Sequence, residues 1–296
     1  MKDHFTNYEL KELQGLTLEQ KETRSLERIE QFLMSMNGKA YVSFSGGKDS
    51  TVLLHLARRI KPDITGIFSN TGLEYPEIVN FVRQCENIKT IKPEKSFKKV
   101  IDENGWPVIS KKVSHIIERL QNPSNKNELS RKKSLNKKYG QTYYLSEKWR
   151  FLINAPFKIS AKCCDIMKKK PLAKYGKESG EYPIIGVMAE EGGPREKSYK
   201  RFGCLIIDGD HIQARPMGFW RESDVWDYIK KYKIEYSDIY DKGEDRTGCM
   251  FCAFGVDNDS HPNRFERMKK NHPAQYNYCI NKLGMRDVLN YLGISF

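Results

Sequence analysis

Residues 41–50 read YVSFSGGKDS and residues 51–60 read TVLLHLARRI, and this stretch decides the fold. Its first four residues are mostly apolar, which predicts a short buried strand, and leucines recur at helical spacing from Leu53 onward. Between them, residues 45–50 combine two glycines, two serines and Lys48. Glycine lets the backbone approach phosphate oxygens closely, and a helix N-terminus offers unpaired N–H groups to an anion. The stretch therefore predicts a strand, a phosphate-binding loop and a helix.

This loop differs from the common nucleoside triphosphatase loop, which needs Gly, four residues and then Gly-Lys-Ser/Thr. Val42 stands where the first glycine belongs, and Asp49 follows the lysine. SGGKDS instead resembles the PP-loop, SGGxDS, of the ATP pyrophosphatase superfamily. The resemblance implies cleavage of ATP between its alpha and beta phosphates, usually to adenylate a substrate. The alternative is a glycine-rich turn without a ligand. The nucleotide-binding residues predicted here are Ser43, Ser45, Gly46, Gly47, Lys48, Asp49 and Ser50.

The composition bounds the class of protein. The chain has 296 residues, 39% of them hydrophobic, so one large α/β domain with an appended part is expected. It has no apolar run of membrane-spanning length, and its first ten residues, MKDHFTNYEL, are too polar for a signal peptide, so a cytoplasmic protein without membrane contact is predicted. Seven cysteines in such a chain favour metal binding or catalysis over disulfides. The net charge of +13 indicates a polyanionic partner.

Predicted strands and helices alternate after the loop, which is typical of a Rossmann-like, doubly wound parallel sheet of the α/β class. Ser223 is the predicted N-cap of the last helix before the second cysteine pair. The predicted elements are strands at 64–69, 88–91 and 182–188, helices at 76–86, 97–103 and 221–232, and a hairpin of 205–207 with 212–215 about Gly209. The predicted domains are a helical lead-in at 1–35, a PP-loop α/β domain at 36–255 with a basic insertion at about 122–148, and a helical C-terminal tail at 256–296.

Three further segments resemble the phosphoadenosine phosphosulfate (PAPS) reductase family. Residues 69–77, SNTGLEYPE, resemble its DTG-x-x-[FY]-PE segment, with Asn70 in place of Asp. Residues 186–196, GVMAEEGGPRE, resemble G-x-R-A-x-E-S-x-x-R, with Met188 in place of the first Arg. Residues 240–252, YDKGEDRTGCMFC, match Y-x-x-G-x-x-R-x-G-C-x-x-C. The resemblance implies that the following residues border the nucleotide, its phosphates or the adjoining cluster: Asn70, Thr71, Gly72, Glu191, Arg195 and Arg246.

Four cysteines form two pairs, Cys163-Cys164 and Cys249-x-x-Cys252. A CxxC turn can bring two thiolates to one metal centre. Adjacent cysteines are harder to reconcile with a single zinc ion, whereas a cubane offers separate irons to neighbouring thiolates. The pattern KCCxxxKxxPL followed by GCxxC resembles that of 4Fe-4S adenylyl-sulfate reductases, which implies such a cluster. Zinc and unligated thiols are the alternatives. The remaining cysteines are expected to be packing residues: Cys85, Cys204 and Cys279.

A basic tract interrupts the alternation. Residues 126–170 contain thirteen Lys or Arg and three acidic residues, a net charge of +10. Such a run is often only a solvated, mobile face. Here aromatic residues are interleaved with the charges, so contact with a nucleic acid is predicted as well. These aromatic residues are Tyr139, Tyr143, Tyr144 and Trp149.

Two departures separate the chain from assimilatory sulfonucleotide reductases. Those enzymes carry a C-terminal Glu-Cys-Gly-[IL]-His, whereas this chain ends NYLGISF, and they typically lose the Lys-Asp of the loop, which is kept here as Lys48 and Asp49. The predicted function is therefore ATP-dependent activation of an acceptor for sulfur transfer, to a nucleic acid or a nucleotide. Its predicted cofactors are a 4Fe-4S cluster and ATP with Mg²⁺, and its partners a sulfur or electron donor protein and, as a candidate assembly, a homodimer. Lys48, Asp49, Arg195 and Arg246 are the predicted catalytic residues. The alternatives are a sulfonucleotide reductase and a non-catalytic nucleotide or nucleic-acid binding protein.

Overall fold

The structure, a computed structural model, describes residues 5–122, 128–139, 144–209 and 211–296. The chain divides into two compact units. The sheet unit consists of the described residues of Met1–Asn70, Glu74–Lys92 and Pro171–Thr247. The cysteine unit consists of the described residues of Thr71–Leu73, Pro93–Lys170 and Gly248–Phe296.

Strands and helices alternate along much of the described chain. The strands are β1 Ala40–Phe44, β2 Gly66–Ser69, β3 Ile88–Ile91, β4 Val108–Ile109, β5 Tyr182–Ile185, β6 Leu205–Asp208, β7 His211–Ala214 and β8 Ala253–Phe254. The α-helices are α1 Asn7–Gln14, α2 Leu18–Ser35, α3 Lys48–Ile60, α4 Pro76–Gln84, α5 Phe97–Asn104, α6 Lys111–Gln121, α7 Glu128–Leu135, α8 Lys170–Ser179, α9 Gly193–Phe202, α10 Glu222–Tyr232, α11 Arg264–Asn271, α12 Pro273–Asn277 and α13 Met285–Leu292. Short 3₁₀ segments cover Lys137–Tyr139, Glu147–Asn154, Ala189–Glu191 and Val256–Asn258, and π-helical turns cover Asp165–Lys169 and Tyr278–Lys282.

The sheet unit is built on a six-stranded sheet of order β3-β2-β1-β5-β7-β6. All neighbouring strands in it are parallel except β6 and β7, which form an antiparallel hairpin. From β1 the chain runs outward to β2 and β3 on one side and returns to β5 on the other side. In open parallel sheets, ligands bind outside the carboxyl ends of the strands at such a reversal. The α/β fold with a doubly wound, mostly parallel sheet is confirmed, and it points to the loops after β1 and β5.

The core of the sheet unit follows from the apolar pattern of the sequence. Val42 in β1 is fully buried, and so are Val52, Leu53 and Leu56 of α3. Burial of a large aliphatic side chain stabilises a fold by about 1.5–3 kcal/mol, so this face of α3 holds the helix on the sheet. The rigid contact fixes where α3 begins, directly after the glycine-rich loop.

The cysteine unit has its own smaller core. Strands β4 and β8 pair in parallel, with Val108 opposite Ala253. Buried residues of α6 and α11, among them Ile117 and Phe265, contribute to this core. These two strands lie far apart in the sequence, and β8 follows directly after the second cysteine pair. The pairing therefore fixes the position of that pair within the unit.

Most predicted elements lie where the sequence placed them, including the strand at 88–91 and the hairpin about Gly209. The N-cap prediction for Ser223 is wrong, because α10 begins at Glu222 with Arg221 as its N-cap. Asp224 accepts the Arg221 N–H at 2.6 Å and so satisfies the first turn in place of the serine. The predicted boundaries at residues 35 and 255 do not coincide with the two units. The basic insertion at 122–148 contains α7 and a 3₁₀ turn, while residues 123–127 and 140–143 of it lie outside the described chain.

Across the described residues, no helix combines the length and the apolar character that a membrane crossing requires.

Candidate functional site

Both glycines of the SGGKDS loop are required by its close packing. Gly46 has φ of +73°, and a Cβ there would lie 2.7 Å from Val82 Cγ2. Gly47 has an ordinary φ of −80°, but a Cβ there would lie 2.5 Å from Thr247 Oγ1. Real Cβ atoms essentially never come so close to a neighbour. The loop backbone is therefore held against its surroundings at the N-terminus of α3.

Hydroxyl groups accept the N–H groups that the sequence assigns to phosphate. Ser45 Oγ accepts the Gly47 N–H at 3.3 Å, and Tyr240 Oη accepts the Lys48 N–H at 2.8 Å. Ser50 Oγ accepts the Ser45 N–H at 3.1 Å. These N–H groups and hydroxyls are gathered in one short loop at the N-terminus of α3. The loop therefore has the donor set of an anion site.

Lys48 is buried yet surrounded by negative charge. Its Nζ lies 3.1 Å from Glu222 Oε1 and 3.6 Å from Asp49 Oδ1. The rings of Trp226 and Tyr240 lie 6.0 and 5.5 Å from Nζ at their centroids, within cation–π range. Burial alone would lower the pKa of Lys48, but Asp49 and Glu222 raise it above the ordinary value. The lysine is therefore held as a cation beside the loop, which suits it to bind phosphate.

Asp49 carries a buried oxygen without a hydrogen-bond partner, its Oδ1. Burial raises the pKa of this carboxyl, and the nearby Lys48 offsets the effect only in part. An under-coordinated carboxylate oxygen is the kind of ligand that Mg²⁺ accepts together with phosphate oxygens. The chemistry of this residue therefore fits a magnesium ion delivered with a nucleotide.

Arg195, which follows β5, and Arg246, which follows α10, are neighbours in the sheet unit. Gly186 follows β5, and a Cβ there would lie 3.3 Å from the backbone oxygen of Asp49. Arg195 forms an ion pair with Glu191 and is half-exposed. Burial lowers the pKa of Arg195, and the neighbouring Arg246 lowers it further. Two guanidinium groups that repel one another favour an anion between them. The family resemblance placed both arginines at the nucleotide, its phosphates or the cluster, and the structure brings them together; their roles stay a prediction.

The residues after β2 are divided between the two units. Asn70 directly follows β2 and donates its N–H to Ile91 O at 2.9 Å. Thr71 is buried, and its Oγ1 accepts the Leu73 N–H at 3.2 Å. Thr71 and Gly72 belong to the cysteine unit, where Met250, within the CxxC pair, donates its N–H to Leu73 O at 2.8 Å. Their predicted role in nucleotide binding remains a prediction, as does that of Ser43, a half-buried residue of β1.

The four predicted cluster ligands share the cysteine unit. Burial raises the pKa of the Cys163 thiol, and repulsion from Cys249, Cys164 and Cys252 raises it further. Burial also raises the pKa of Cys252 to about 11, although an N–H from Phe254 donates to its sulfur at 3.4 Å. The four thiols are therefore electrostatic neighbours. Within the described ranges, no three His, Cys, Asp or Glu side chains form a group that could hold a single metal ion.

Arg264 fastens the segment that carries the CxxC pair. Its guanidinium donates to both oxygens of Asp259 at 2.7 Å. It also donates to the backbone oxygens of Cys252 at 3.2 Å and Phe254 at 3.0 Å. The positive charge thus lies beside a site that would gather thiolate charge. Arg264 lies in the tail that sequence reasoning assigned only to helix, so its contribution was missed.

Sequence reasoning also missed Glu222, Tyr240 and Thr247. Tyr240 opens the quoted motif at 240–252, so a signal for it was present in the sequence. Glu222 could not be found in this way, because only the start of α10 brings it to Lys48. Of the other cysteines, Cys85 is half-buried, and Cys204 and Cys279 are buried.

The model of the phosphoadenosine phosphosulfate reductase domain matches residues 39–122 and 113–254. An uncharacterized protein of Methanocaldococcus jannaschii is 28% identical over 271 residues, which are 90% of this chain and 53% of that protein. The chain thus spans about half the length of this relative. An adenosine 5'-phosphosulfate reductase of Staphylococcus haemolyticus is 26% identical, over 77% of this chain and 76% of that protein. The U34-tRNA thiolase of Methanococcus maripaludis, solved with its [4Fe-4S] cluster, aligns with a TM-score of 0.41 and 15% identity, over 92% of this chain and 80% of that one.

Proposed function

The chain belongs to the phosphoadenosine phosphosulfate reductase domain family, and from this premise we propose that it cleaves ATP to adenylate an acceptor for sulfur transfer. The observation that carries the proposal is the intact charge pattern of the SGGKDS loop. Lys48 is kept as a buried cation, and the buried Oδ1 of Asp49, which accepts no hydrogen bond from the described residues, lies 3.6 Å from its Nζ. A site that only held a finished sulfonucleotide would bind its phosphate, but it would have no departing pyrophosphate whose charge these groups stabilise.

The proposed first step is an attack on phosphorus. An oxygen of the acceptor attacks the alpha phosphorus of ATP, a P–O bond forms, and the bond to the beta phosphate breaks. Pyrophosphate leaves with the electron pair of that bond. Lys48 and the loop N–H groups stabilise the charge that develops on the phosphate oxygens. Asp49 orients the magnesium ion that accompanies the nucleotide. Arg195 and Arg246 bind the remaining phosphate charge.

The proposed second step makes the carbon–sulfur bond. A sulfide attacks the activated carbon of the acceptor, the C–O bond breaks, and AMP leaves with its electrons. This exchange needs no net oxidant or reductant when sulfide itself is the nucleophile. The chain's task in this step is to hold AMP until it leaves and to keep water from the activated carbon.

The four thiols suit a 4Fe-4S cluster better than four separate packing residues, because repulsion from the neighbouring thiols adds to the raised pKa of Cys163 and of Cys252. Binding of iron would remove that cost, since a coordinated thiol is deprotonated outright. Cys163, Cys164, Cys249 and Cys252 would hold the cluster, and Arg264 would lie beside the Cys252 backbone. When bound, such a cluster supplies a site for a sulfur atom or an electron. The acceptor in this proposal is a nucleic acid or a nucleotide.

A second candidate is reduction of a sulfonucleotide. It is favoured by the similarity to the adenosine 5'-phosphosulfate reductase of Staphylococcus haemolyticus. In that reaction a thiol would attack the sulfur of the substrate, and the S–O bond to AMP would break. A second thiol would then attack the sulfur of the first thiol, which forms a disulfide and releases sulfite. The retained Lys48 and Asp49 have no task in this chemistry, so we rank it second.

One experiment separates the candidates. Protein prepared without oxygen is given ATP, Mg²⁺, sulfide and either RNA or DNA, and the nucleosides are then analysed by mass spectrometry. The proposal predicts a nucleoside in which sulfur replaces oxygen, together with AMP, and neither product with Lys48→Ala. A parallel reaction with adenosine 5'-phosphosulfate and a dithiol tests the second candidate. Release of sulfite there without ATP cleavage in the first reaction would overturn the proposal.

A further inference from the structure

The cysteine unit carries a row of aromatic side chains at its surface. Trp149 lies 6.2 Å from Phe151 between ring centroids, and Tyr291 lies 5.6 Å from both Phe151 and Phe157. The Tyr291 hydroxyl donates to Phe151 O at 3.1 Å, so α13 and the 3₁₀ segment are fixed to each other here. Phe151 remains 41% exposed. A large exposed ring between two other rings marks a surface that can accept another flat group. We call these four residues the aromatic row.

Exposed lysines lie in the same unit as the aromatic row, one of them directly over a ring. Lys148 lies 4.4 Å above the Trp149 ring, and Lys133, Lys137 and Lys138 are exposed on α7 and the turn after it. Residues 132–150 contain six Lys or Arg and one acidic residue, Glu147. This face therefore carries a net positive charge and is complementary to a polyanion.

The basic part and the aromatic row belong to one folded structure. Arg150, next to the row in sequence, donates to Leu135 O at the end of α7 at 2.9 Å. Leu145 donates its N–H to Ser134 O, also in α7, at 2.8 Å. The lysines of α7 and the rings are therefore held at fixed positions in the same unit. A run of charged residues that was only a solvated, mobile face would not need these hydrogen bonds.

We propose that this face binds a single-stranded polynucleotide, with bases stacked on the aromatic row and phosphates on the lysines. Stacking on rings needs bases that are free of a duplex, because a duplex offers only its backbone to such a face. The proposal names the acceptor's binding surface and rests on the proposed function for its purpose. Binding itself needs neither ATP nor the cluster, so it is measured independently of that function.

The test uses fluorescence anisotropy of labelled oligonucleotides with the full chain. The arms are single-stranded RNA, single-stranded DNA and a duplex of the same length. Phe151→Leu keeps an apolar side chain but removes the ring. It should weaken binding of single strands by roughly 5- to 150-fold, the equivalent of about 1–3 kcal/mol for one stacked base. The salt dependence should remain that of the wild type. Tyr8→Leu is the matched control, because Tyr8 is 69% exposed on α1, outside the aromatic row.

A second variant tests the binding of phosphates by lysines. Replacing Lys133, Lys137 and Lys138 with Ser should reduce the slope of log affinity against log salt by about 0.7 for each phosphate that is no longer neutralised. The control removes the same charge from exposed lysines of the sheet unit, Lys11, Lys39 and Lys233. It should leave the slope nearly unchanged.

The outcomes distinguish the proposed binding surface from the proposed function. Unchanged binding by Phe151→Leu, equal effects of the two lysine triples, or tighter binding of duplex than of single strands would each overturn the binding surface. If these results occur while ATP is still cleaved to AMP, the proposed function stands with a small acceptor. If the binding predictions hold but ATP is never cleaved, the surface stands and the proposed function fails. A difference between the RNA and DNA arms identifies the class of acceptor.

Discussion

Gly47→Ala is the substitution whose effect the structure defines most sharply. The new Cβ would lie 2.5 Å from Thr247 Oγ1, about 0.9 Å inside the 3.4 Å at which ordinary contact begins. Because the φ of Gly47 is an ordinary −80°, backbone strain does not contribute. The added Cβ would also lie 3.2 Å from Tyr240 Oη and 3.3 Å from Ser45 Oγ, but the contact with Thr247 is the severe one. Thr247 lies 3.3 Å from Tyr240 Oη, which in turn accepts the Lys48 N–H. A displaced Thr247 therefore moves Tyr240 and loosens the loop.

Overpacking of this kind costs about 1–3 kcal/mol. Expressed in ATP binding, that range corresponds to a roughly 5- to 150-fold weaker affinity. Calorimetric titration with ATP and Mg²⁺ gives the affinity, and urea denaturation gives the free energy of unfolding. Gly15→Ala is the control, because Gly15 has φ of −86° and the added Cβ would make only ordinary contacts.

The double variant Gly47→Ala/Thr247→Ala decides whether the clash is the cause. Removing Oγ1 should restore most of the affinity, and the coupling energy from the double-mutant cycle should be of opposite sign to the effect of Gly47→Ala alone. Wild-type affinity in Gly47→Ala, or no recovery in the double variant, would refute the reasoning about how the loop is held.

The charges and thiols give three further predictions. Asp49→Asn should abolish Mg²⁺-dependent ATP cleavage but raise the melting temperature at neutral pH. The pKa of Asp49 is raised in the folded protein, so its ionised form destabilises the fold. The gain in melting temperature should shrink as pH falls, because the wild-type carboxyl then takes up a proton. Arg264→Met should lower the free energy of unfolding by about 1–3 kcal/mol and speed iron loss in the presence of a chelator. It removes the guanidinium that donates to two carbonyls and to Asp259, which keeps only the backbone N–H of residue 264. Equal iron loss from wild type and variant would count against it. Protein prepared without oxygen should hold about four irons and four sulfides per chain. Replacing any one of the four predicted ligands with Ser should remove the colour of the cluster, whereas the control Cys85→Ser should keep it. The four ligands are Cys163, Cys164, Cys249 and Cys252. Stoichiometric zinc without iron would exclude the cluster.

The parts of the fold that depend on local pattern were predictable. The apolar residues of β1 and the leucines of α3 carry their periodicity within a few residues, so the strand, loop and helix lie as predicted. The need for glycine in the loop was also predictable, because the two glycines stand next to each other in the sequence between the strand and the helix. Ser223 was misplaced as an N-cap because the choice between it and its neighbours depends on Asp224, whose carboxylate turns back to the Arg221 N–H.

The parts that depend on long-range contact were not predictable. Glu222 contacts Lys48, and Thr247 lies against Gly47, only after the sheet unit has folded. No spacing of residues in the sequence predicts these contacts. The division into two units has the same origin. Strand β8 pairs with β4, which lies far earlier in the chain, and thereby joins the C-terminal segment to the middle of the chain. A domain boundary predicted from the sequence is placed where the composition changes. Such a prediction cannot detect that a late segment of the chain pairs with an early one.

The central claim is that ATP is cut between its alpha and beta phosphates. ATP labelled at the alpha phosphate is incubated with protein prepared without oxygen, Mg²⁺ and single-stranded RNA or DNA, and the products are separated by chromatography. The account predicts labelled AMP together with pyrophosphate, in equal amounts, and the loss of both with Lys48→Ala. Labelled ADP with orthophosphate, or unchanged ATP under every condition, would contradict it.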